Sequence, residues 1–238
     1  MSKIHFILGI EGCGKSLVAP ILADYYCHKN DRILCADLNQ LAPTFSRFRS
    51  LNVTHYNLLD RDCSLNSRKF DLLFEDILKF NGDAIVDTGM DSLHSLLYYM
   101  TKNEVLSILQ KEGKEAIFHF VLVGGAGLLS SVNILSSILD NFSVPVVVWE
   151  NEFFGKVVHN GKTFKESLIF NKFQQKIVGV ISICGCRASI QSTDLCMMVN
   201  EHLTLSEAIV WHKFNPMVQR RFKALQLDFG HHLYAAFC

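Results

Sequence analysis

The chain has 238 residues, 49% of them apolar, which is enough to bury a full α/β core, and its length favours one domain spanning 1–238. Lysine plus arginine balance aspartate plus glutamate at 23 each, so the chain lacks the overall positive field that draws a protein to nucleic acid or anionic lipid, and any such contact must be local. No leader-like segment opens the sequence, which points to the cytosol. The eight scattered cysteines suit reduced thiols better than a disulfide framework.

An apolar strand over Ile4–Leu8 runs into Gly9-Ile10-Glu11-Gly12-Cys13-Gly14-Lys15-Ser16 and then a helix over Lys15–Cys27, where Pro20 predicts a local kink. Strands follow at Arg32–Ala36 and Val53–Tyr56, a helix at Asn66–Phe80, and a strand at Ala84–Asp87. Two helices, Ser92–Met100 and Asn103–Glu112, lead to a strand at Ala116–Val123 and a helix at Leu128–Asp140. The remainder reads as strands Val144–Trp149 and Ile177–Ile183 and helices Ile190–Val199 and Pro216–Leu227. Ala116–Leu139 carries no charge and reaches transmembrane length, but its β-rich first half stops at Gly124-Gly125 and its second half has serines and Asn133 spaced as on a globular helix. It is therefore read as strand plus helix. Most strands are continuous apolar runs, as expected when helices cover both faces of a mostly parallel sheet, so the fold class is three-layer α/β/α. No linker or repeat interrupts the chain. Cys184-Gly185-Cys186 is too short and isolated for a zinc site, and the histidines lack metal-motif spacing.

The segment Gly9–Ser16 matches G-x-x-x-x-G-K-S, between strand and helix where its mechanism requires. Glycines let the backbone curl until successive N–H groups face phosphate oxygens, and the following helix adds the positive end of its dipole. Gly9, Gly12, Cys13, Gly14, Lys15, Ser16 and Leu17 then form the cradle. Lys15, expected to face ligand rather than sit in the core, would meet the β- and γ-phosphates, and the Ser16 hydroxyl would be a Mg²⁺ ligand. A magnesium–triphosphate site also needs a carboxylate at the end of another strand. Asp87, followed by Thr88-Gly89, meets that requirement; Asp37, after Arg32–Ala36, could orient water or help to hold the metal.

With these parts the sequence resembles the deviant Walker A ATPases of the MinD/ParA group, and most closely the TraL nucleotide-binding proteins of bacterial conjugative transfer systems. The supporting stretches are Ile4–Leu8 into the loop, Asp37, Ile85–Asp87, His119–Ala126, Val147–Asn151 with Phe154-Gly155, and Leu203–Ala208. The resemblance implies that Asn151 helps to recognise adenine. No Asn-Lys-x-Asp guanine motif follows Val148, which favours ATP over GTP. Ile10 stands where the group has the lysine that crosses a nucleotide-dependent homodimer, Glu11 adds a negative charge beside the phosphates, and Cys35 replaces a second aspartate.

The expectation is an ATP- and Mg²⁺-binding, low-turnover ATPase switch protein, with Lys15 and Asp37 as catalytic residues and Ser16, Asp37 and Asp87 at the metal. Its setting would be a bacterial conjugation machinery, in the cytoplasm or at the inner membrane through a partner. The alternative is a non-catalytic nucleotide-binding module that keeps the cradle without useful turnover. A kinase would need an arginine-rich lid, and Arg187, Arg220 and Arg221 are too late and dispersed to form one. The cationic run Gln219–Leu225 is read as a solvated helix face.

Overall fold

The computed structural model of the chain describes residues 1–29, 32–185, 187 and 189–237; Cys186 of the Cys-Gly-Cys grouping and the terminal Cys238 lie outside them. The chain divides into two compact units, Met1–Glu11 with Lys15–Ile117 and Gly12–Gly14 with Phe118–Cys238.

The first unit contains β1 (Ser2–Gly9), α1 (Lys15–His28), β2 (Ile33–Asp37), β3 (Thr54–His55), α2 (Phe70–Lys79), β4 (Asp83–Asp87), α3 (Met90–Lys102) and α4 (Val105–Lys111). Its strands are parallel in the order β3-β2-β4-β1. From Ile4 to Gly9 every residue of β1 is buried, and β4 is buried from Ala84 onward, which explains why these strands read as unbroken apolar runs. α1 is buried almost all round, through Val18, Ala19, Ile21, Leu22, Ala23 and Tyr26, and it continues through Pro20 without a break. In α2 the buried residues Phe70, Leu73, Phe74 and Ile77 form one stripe at helical spacing. The expected start at Asn66 is a cap: its side chain accepts the Arg68 N–H at 3.0 Å and opens a 3₁₀ turn, Ser67–Lys69, that runs into α2.

β5 (Lys114–Val123) begins in the first unit and continues in the second, where α5 (Leu128–Asn141), β6 (Val146–Asn151), β7 (Val158–His159), β8 (Lys162–Thr163), α6 (Leu168–Lys172), β9 (Ile177–Cys184), α7 (Ile190–Asn200), α8 (Leu205–Val210) and α9 (Pro216–Phe237) follow. β5, β6 and β9 are parallel in that order. The uncharged stretch that matched a membrane span is divided between β5 and α5, and no helix among the described residues is long and apolar enough to cross a membrane. With helices packed on seven parallel strands among the described residues, the fold is three-layer α/β/α.

Three features of this unit depart from the pattern read in the sequence. β7 and β8 form an antiparallel hairpin through Asn160 (φ 50°) and Gly161 (φ 75°), the Asn-Gly pair of a type I′ turn. α8 is opened by a capping box in which Thr204 N–H donates to Glu207 at 2.9 Å and Glu207 N–H donates to the Thr204 hydroxyl at 3.3 Å. α9 extends ten residues past its expected end, because Val218, Phe222, Leu225, Phe229 and Leu233 continue one buried stripe through Gly230 and the two histidines after it. That stripe turns the apolar side of Gln219–Leu225 into the core. Arg221 forms a bidentate pair with Asp194, at 2.5 and 3.1 Å.

The cysteine environments are mixed: Cys13 and Cys35 are buried and outside any disulfide, whereas Cys27, Cys63 and Cys196 are exposed. Burial pushes the Cys35 thiol up to about 12, so it stays protonated and packs as an apolar residue.

Candidate functional site

β1 delivers the chain to a turn that only glycine adopts without strain. Gly9, Gly12 and Gly14 have φ of 150°, 68° and 103°. Glu11 is exposed, and Cys13 is buried. Lys15, Ser16 and Leu17 make the first turn of α1, so the loop ends on a helix N-terminus, the favourable side of its dipole for an anion. Lys15 departs from the expectation that it would be exposed. It is 7% accessible, and its ammonium donates to the Gly9 carbonyl at 3.1 Å and the Ile10 carbonyl at 2.8 Å. The cation is thus held at the loop by the backbone oxygens that curl around it.

Asp37 and Asp87 occupy paired positions at the C-terminal ends of β2 and β4, and Ile7 of β1 is level with Asp87. Open parallel sheets place ligands at such strand ends. Both carboxylates are fully buried, yet their partners differ. Asp37 accepts the Asn39 N–H at 3.0 Å on one oxygen and the Ser46 N–H at 2.9 Å on the other. Burial raises its pKa, and these bonds, with the nearby His55, pull it back down. Asp87 accepts the Ser16 hydroxyl at 3.1 Å on Oδ2, and among the described residues its Oδ1 has no hydrogen-bond partner. Burial first, and then the Asp37 charge, push the Asp87 carboxyl up to about 7, against the pull of Lys15, the Ser16 hydroxyl and the Thr88 amide.

The loops after the two strands are tied together. Gln40 donates its side-chain N–H groups to the Leu38 and Tyr56 carbonyls, both at 2.9 Å, and accepts the Leu58 N–H at 2.8 Å. Asp91 accepts the Gln40 backbone N–H at 3.3 Å and the Ser92 N–H at 2.9 Å. A Cβ on Gly89 would lie 2.0 Å from the Asp91 carboxylate and 3.0 Å from Asn39 Cα. Thr88 anchors the other side by donating its hydroxyl to the Ile7 carbonyl at 2.6 Å. Thr88, Gln40 and Asp91 are absent from the residues singled out in the sequence. Only Thr88 stood beside a recognised motif; the Gln40–Asp91 contact joins residues 51 apart and has no local signature.

In the second unit Asn151 ends β6, buried at 4% exposure. Its amide donates to the Cys13 carbonyl at 2.8 Å, its Oδ1 accepts the Phe153 N–H at 3.0 Å, and its backbone carbonyl accepts the Gly124 N–H at 3.0 Å. A Cβ on Gly14 would stand 2.8 Å from the same amide nitrogen. The expected adenine-reading side chain therefore fixes the glycine turn. Beneath it, Trp149 donates its indole N–H to His119 Nδ1 at 3.0 Å, and burial lowers His119 to about 3, so the imidazole is neutral.

Ser16 Oγ and Asp87 are hard oxygen donors of the kind that hold Mg²⁺ through one or two protein ligands, and the partnerless Asp87 Oδ1 is a buried acceptor that a cation would satisfy. The residues fit that ion.

No protein-family model matches this chain. It is similar to "Protein TraL" of Escherichia coli, 32% identical over 239 residues that cover 99% of each chain. Among solved structures it is similar to the cell division ATPase MinD of Pyrococcus furiosus, with a TM-score of 0.56 and 15% identity over 97% of this chain and 99% of that one. It is also similar to a putative plasmid partition protein from Borrelia burgdorferi B31 bound to AMPPNP, with a TM-score of 0.50 and 15% identity over 96% and 98% of the two chains. At such identities the two structures establish a common fold, the P-loop NTPase fold of the MinD/ParA type.

Proposed function

This chain belongs to the TraL family, and from that premise we propose that it is an ATP-binding, Mg²⁺-dependent P-loop switch protein with slow hydrolysis, serving bacterial conjugative DNA transfer. The observation that carries this reading is Asp87: a fully buried carboxylate with one oxygen on the Ser16 hydroxyl and the other without a partner. Such an oxygen is costly in a folded protein unless a ligand satisfies it.

In this reading Gly9, Gly12, Cys13, Gly14 and Leu17 shape the phosphate cradle, and Lys15 moves its ammonium from the Gly9 and Ile10 carbonyls to phosphate oxygens. Ser16 and Asp87 would hold Mg²⁺, which would supply neutralisation of phosphate charge when bound. Asp37, with both oxygens on backbone amides, acts at second hand. It sets the shape of the 38–46 loop, and the lone pairs it retains would orient water or help to hold the ion. Asn151 holds the Cys13 turn and, as the family resemblance implies, helps to recognise adenine. The Gln40–Asp91 bond couples the loops that follow Asp37 and Asp87, so a shift at either carboxylate reaches both. We place the protein in the cytosol, working as one domain and reaching the inner membrane through a partner. A nucleotide-dependent homodimer would have to form without a crossing lysine, because Ile10 is apolar.

The committed partners of Asp37, together with Ile10, favour a second reading in which the cradle binds nucleotide without useful turnover. One experiment addresses both. ATP and GTP are titrated, with Mg²⁺ and with EDTA, into wild type and Lys15→Ala, and the retained nucleotide is then analysed for ADP after long incubation with excess protein. The expected result is Mg²⁺-dependent ATP binding that Lys15→Ala weakens by about a hundredfold, with ADP accumulating. Equal affinity in the two proteins removes the proposal, and stoichiometric ATP retention selects the second reading.

A further inference from the structure

The second unit contains a cavity of about 400 Å³ that none of the groups described above enters. Its size falls in the range of ligand sites, roughly 300–1,000 Å³. The floor is apolar and buried: Leu122 at the end of β5, Leu128 at the start of α5, and Val157 and Phe164 on either side of the β7–β8 hairpin. The hairpin follows a close backbone contact between two loops. At its root a Cβ on Gly124 would stand 1.8 Å from the Gly155 carbonyl oxygen, and one on Gly125 would stand 2.4 Å from that of Phe154. The two loops are therefore in backbone contact. Leu168, 85% exposed, and Leu129, 55% exposed, add apolar surface to the lining beside the exposed His159, Asn160, Lys162 and Thr163.

The polar lining comes from His159, Asn160, Lys162, Thr163 and Ser167, and the stretch from Lys156 to Lys165 holds three lysines and a histidine but no acid. The neighbouring acids are engaged. Glu166 accepts the Thr163 N–H at 2.9 Å and the Thr163 hydroxyl at 2.8 Å, with Lys162 adding a smaller attraction, and Glu152 accepts the Val157 N–H at 3.2 Å. The Ser167 hydroxyl accepts the Phe170 N–H at 3.2 Å, which leaves its own proton available to donate.

We propose that this cavity binds one single-chain anionic amphiphile, with its hydrocarbon chain against Leu122, Leu128, Val157 and Phe164 and its carboxylate or phosphate head at Lys162 and Ser167. The same chemistry is offered by a free acyl anion and by a lipid of an anionic bilayer, and the experiment separates the two. The binding is independent of the nucleotide reading.

The full chain is titrated, below the micellar concentration, with dodecanoate, dodecyltrimethylammonium and dodecyl maltoside, and one-to-one binding is followed by methyl NMR. Variants are Lys162→Glu for the head, Leu168→Glu at the exposed lip, which carries no fold risk, and Val132→Trp to fill the cavity. Dodecanoate is expected to bind at least tenfold more tightly than the cationic surfactant. Lys162→Glu should abolish that preference, and Leu168→Glu and Val132→Trp should each weaken binding at least tenfold. Co-sedimentation with phosphatidylglycerol vesicles that Leu168→Glu abolishes identifies a bilayer source, and dodecanoate binding without co-sedimentation identifies a free acyl anion; either supports the site. Equal affinity for all three surfactants, no binding below the micellar concentration, or full binding by Leu168→Glu overturns it, the last two results being those expected if the hollow instead seats a partner protein's side chains.

Discussion

Asp37 and Asp87 stand side by side at the ends of neighbouring parallel strands, both fully buried, and they do opposite work. Asp37 is internally satisfied: its two oxygens gather the Asn39 and Ser46 amides and so fold the loop that follows β2. Asp87 is left with a single hydroxyl partner, and its carboxyl is pushed up to about 7. Burial alone therefore does not mark a ligand-binding carboxylate. Unfilled hydrogen-bonding capacity does, because an unmet buried acceptor is retained against a cost to stability that a well-partnered one avoids.

The strongest way to break this contrast is Asp87→Asn. A carboxyl raised in the folded state binds its proton more tightly there than in the unfolded chain, so its stabilising effect is complete below about pH 4. That effect is lost as pH rises through the folded value near 7. For Asp87 the loss amounts to roughly 3–5 kcal/mol. Part of that loss, about 1.5 kcal/mol, is already incurred at pH 5, so urea unfolding in EDTA at pH 5 and pH 8 should show wild type losing roughly 2–3 kcal/mol relative to Asp87→Asn, since the amide has no charge to desolvate. The same variant should bind Mg²⁺-nucleotide roughly a hundredfold more weakly. A variant no more stable than wild type at pH 8 contradicts the account of the partnerless oxygen.

Asp37→Asn should act in the other direction. An amide has one acceptor oxygen, so one of the two N–H groups would face an NH₂ donor, at a cost of about 1–3 kcal/mol. Hydrogen exchange at Asn39 and Ser46 should accelerate, and Asp87 should titrate at lower pH once its charged neighbour is gone. If exchange at both amides is unchanged, Asp37 does not organise the loop.

The same contrast explains what could be read in advance. The strands with both faces covered announced themselves as unbroken apolar runs, and the glycine loop carried its signature in eight consecutive residues. The hairpin was marked by Asn160-Gly161 and α8 by Thr204 and Glu207, but both elements are too short to show periodicity. α9 outran its expected end because Gly230 and two histidines resemble a stop signal, whereas Phe229 and Leu233 continue the buried stripe. Within the site, strand-end position singled out Asp87 for the metal and Asp37 for water or the metal, without showing how differently their oxygens are partnered. Their difference rests on a 3₁₀ turn at Phe45–Arg47 that brings the Ser46 amide back to Asp37, and no local pattern encodes that return. Lys15 is similar: its burial depends on where the Gly9 and Ile10 carbonyls point.

The smallest expected effect sharpens the comparison from the other side of the loop. Asn151 meets Gly14 through an amide pinned by its bonds to the Cys13 carbonyl and the Phe153 N–H, so it cannot step aside for a methyl group. Gly14→Ala therefore meets two obstacles, a φ of 103° that alanine rarely adopts and a contact at 2.8 Å. Asn151→Ala removes the second obstacle and leaves the first, while costing about 1 kcal/mol of its own through the lost hydrogen bonds. The two substitutions should consequently be non-additive, with the double variant about 0.5–1.5 kcal/mol more stable than the sum of the single losses implies. A double-mutant cycle in urea measures this directly. Strict additivity would mean that the turn, and not its partner in β6, is the whole reason for glycine at position 14.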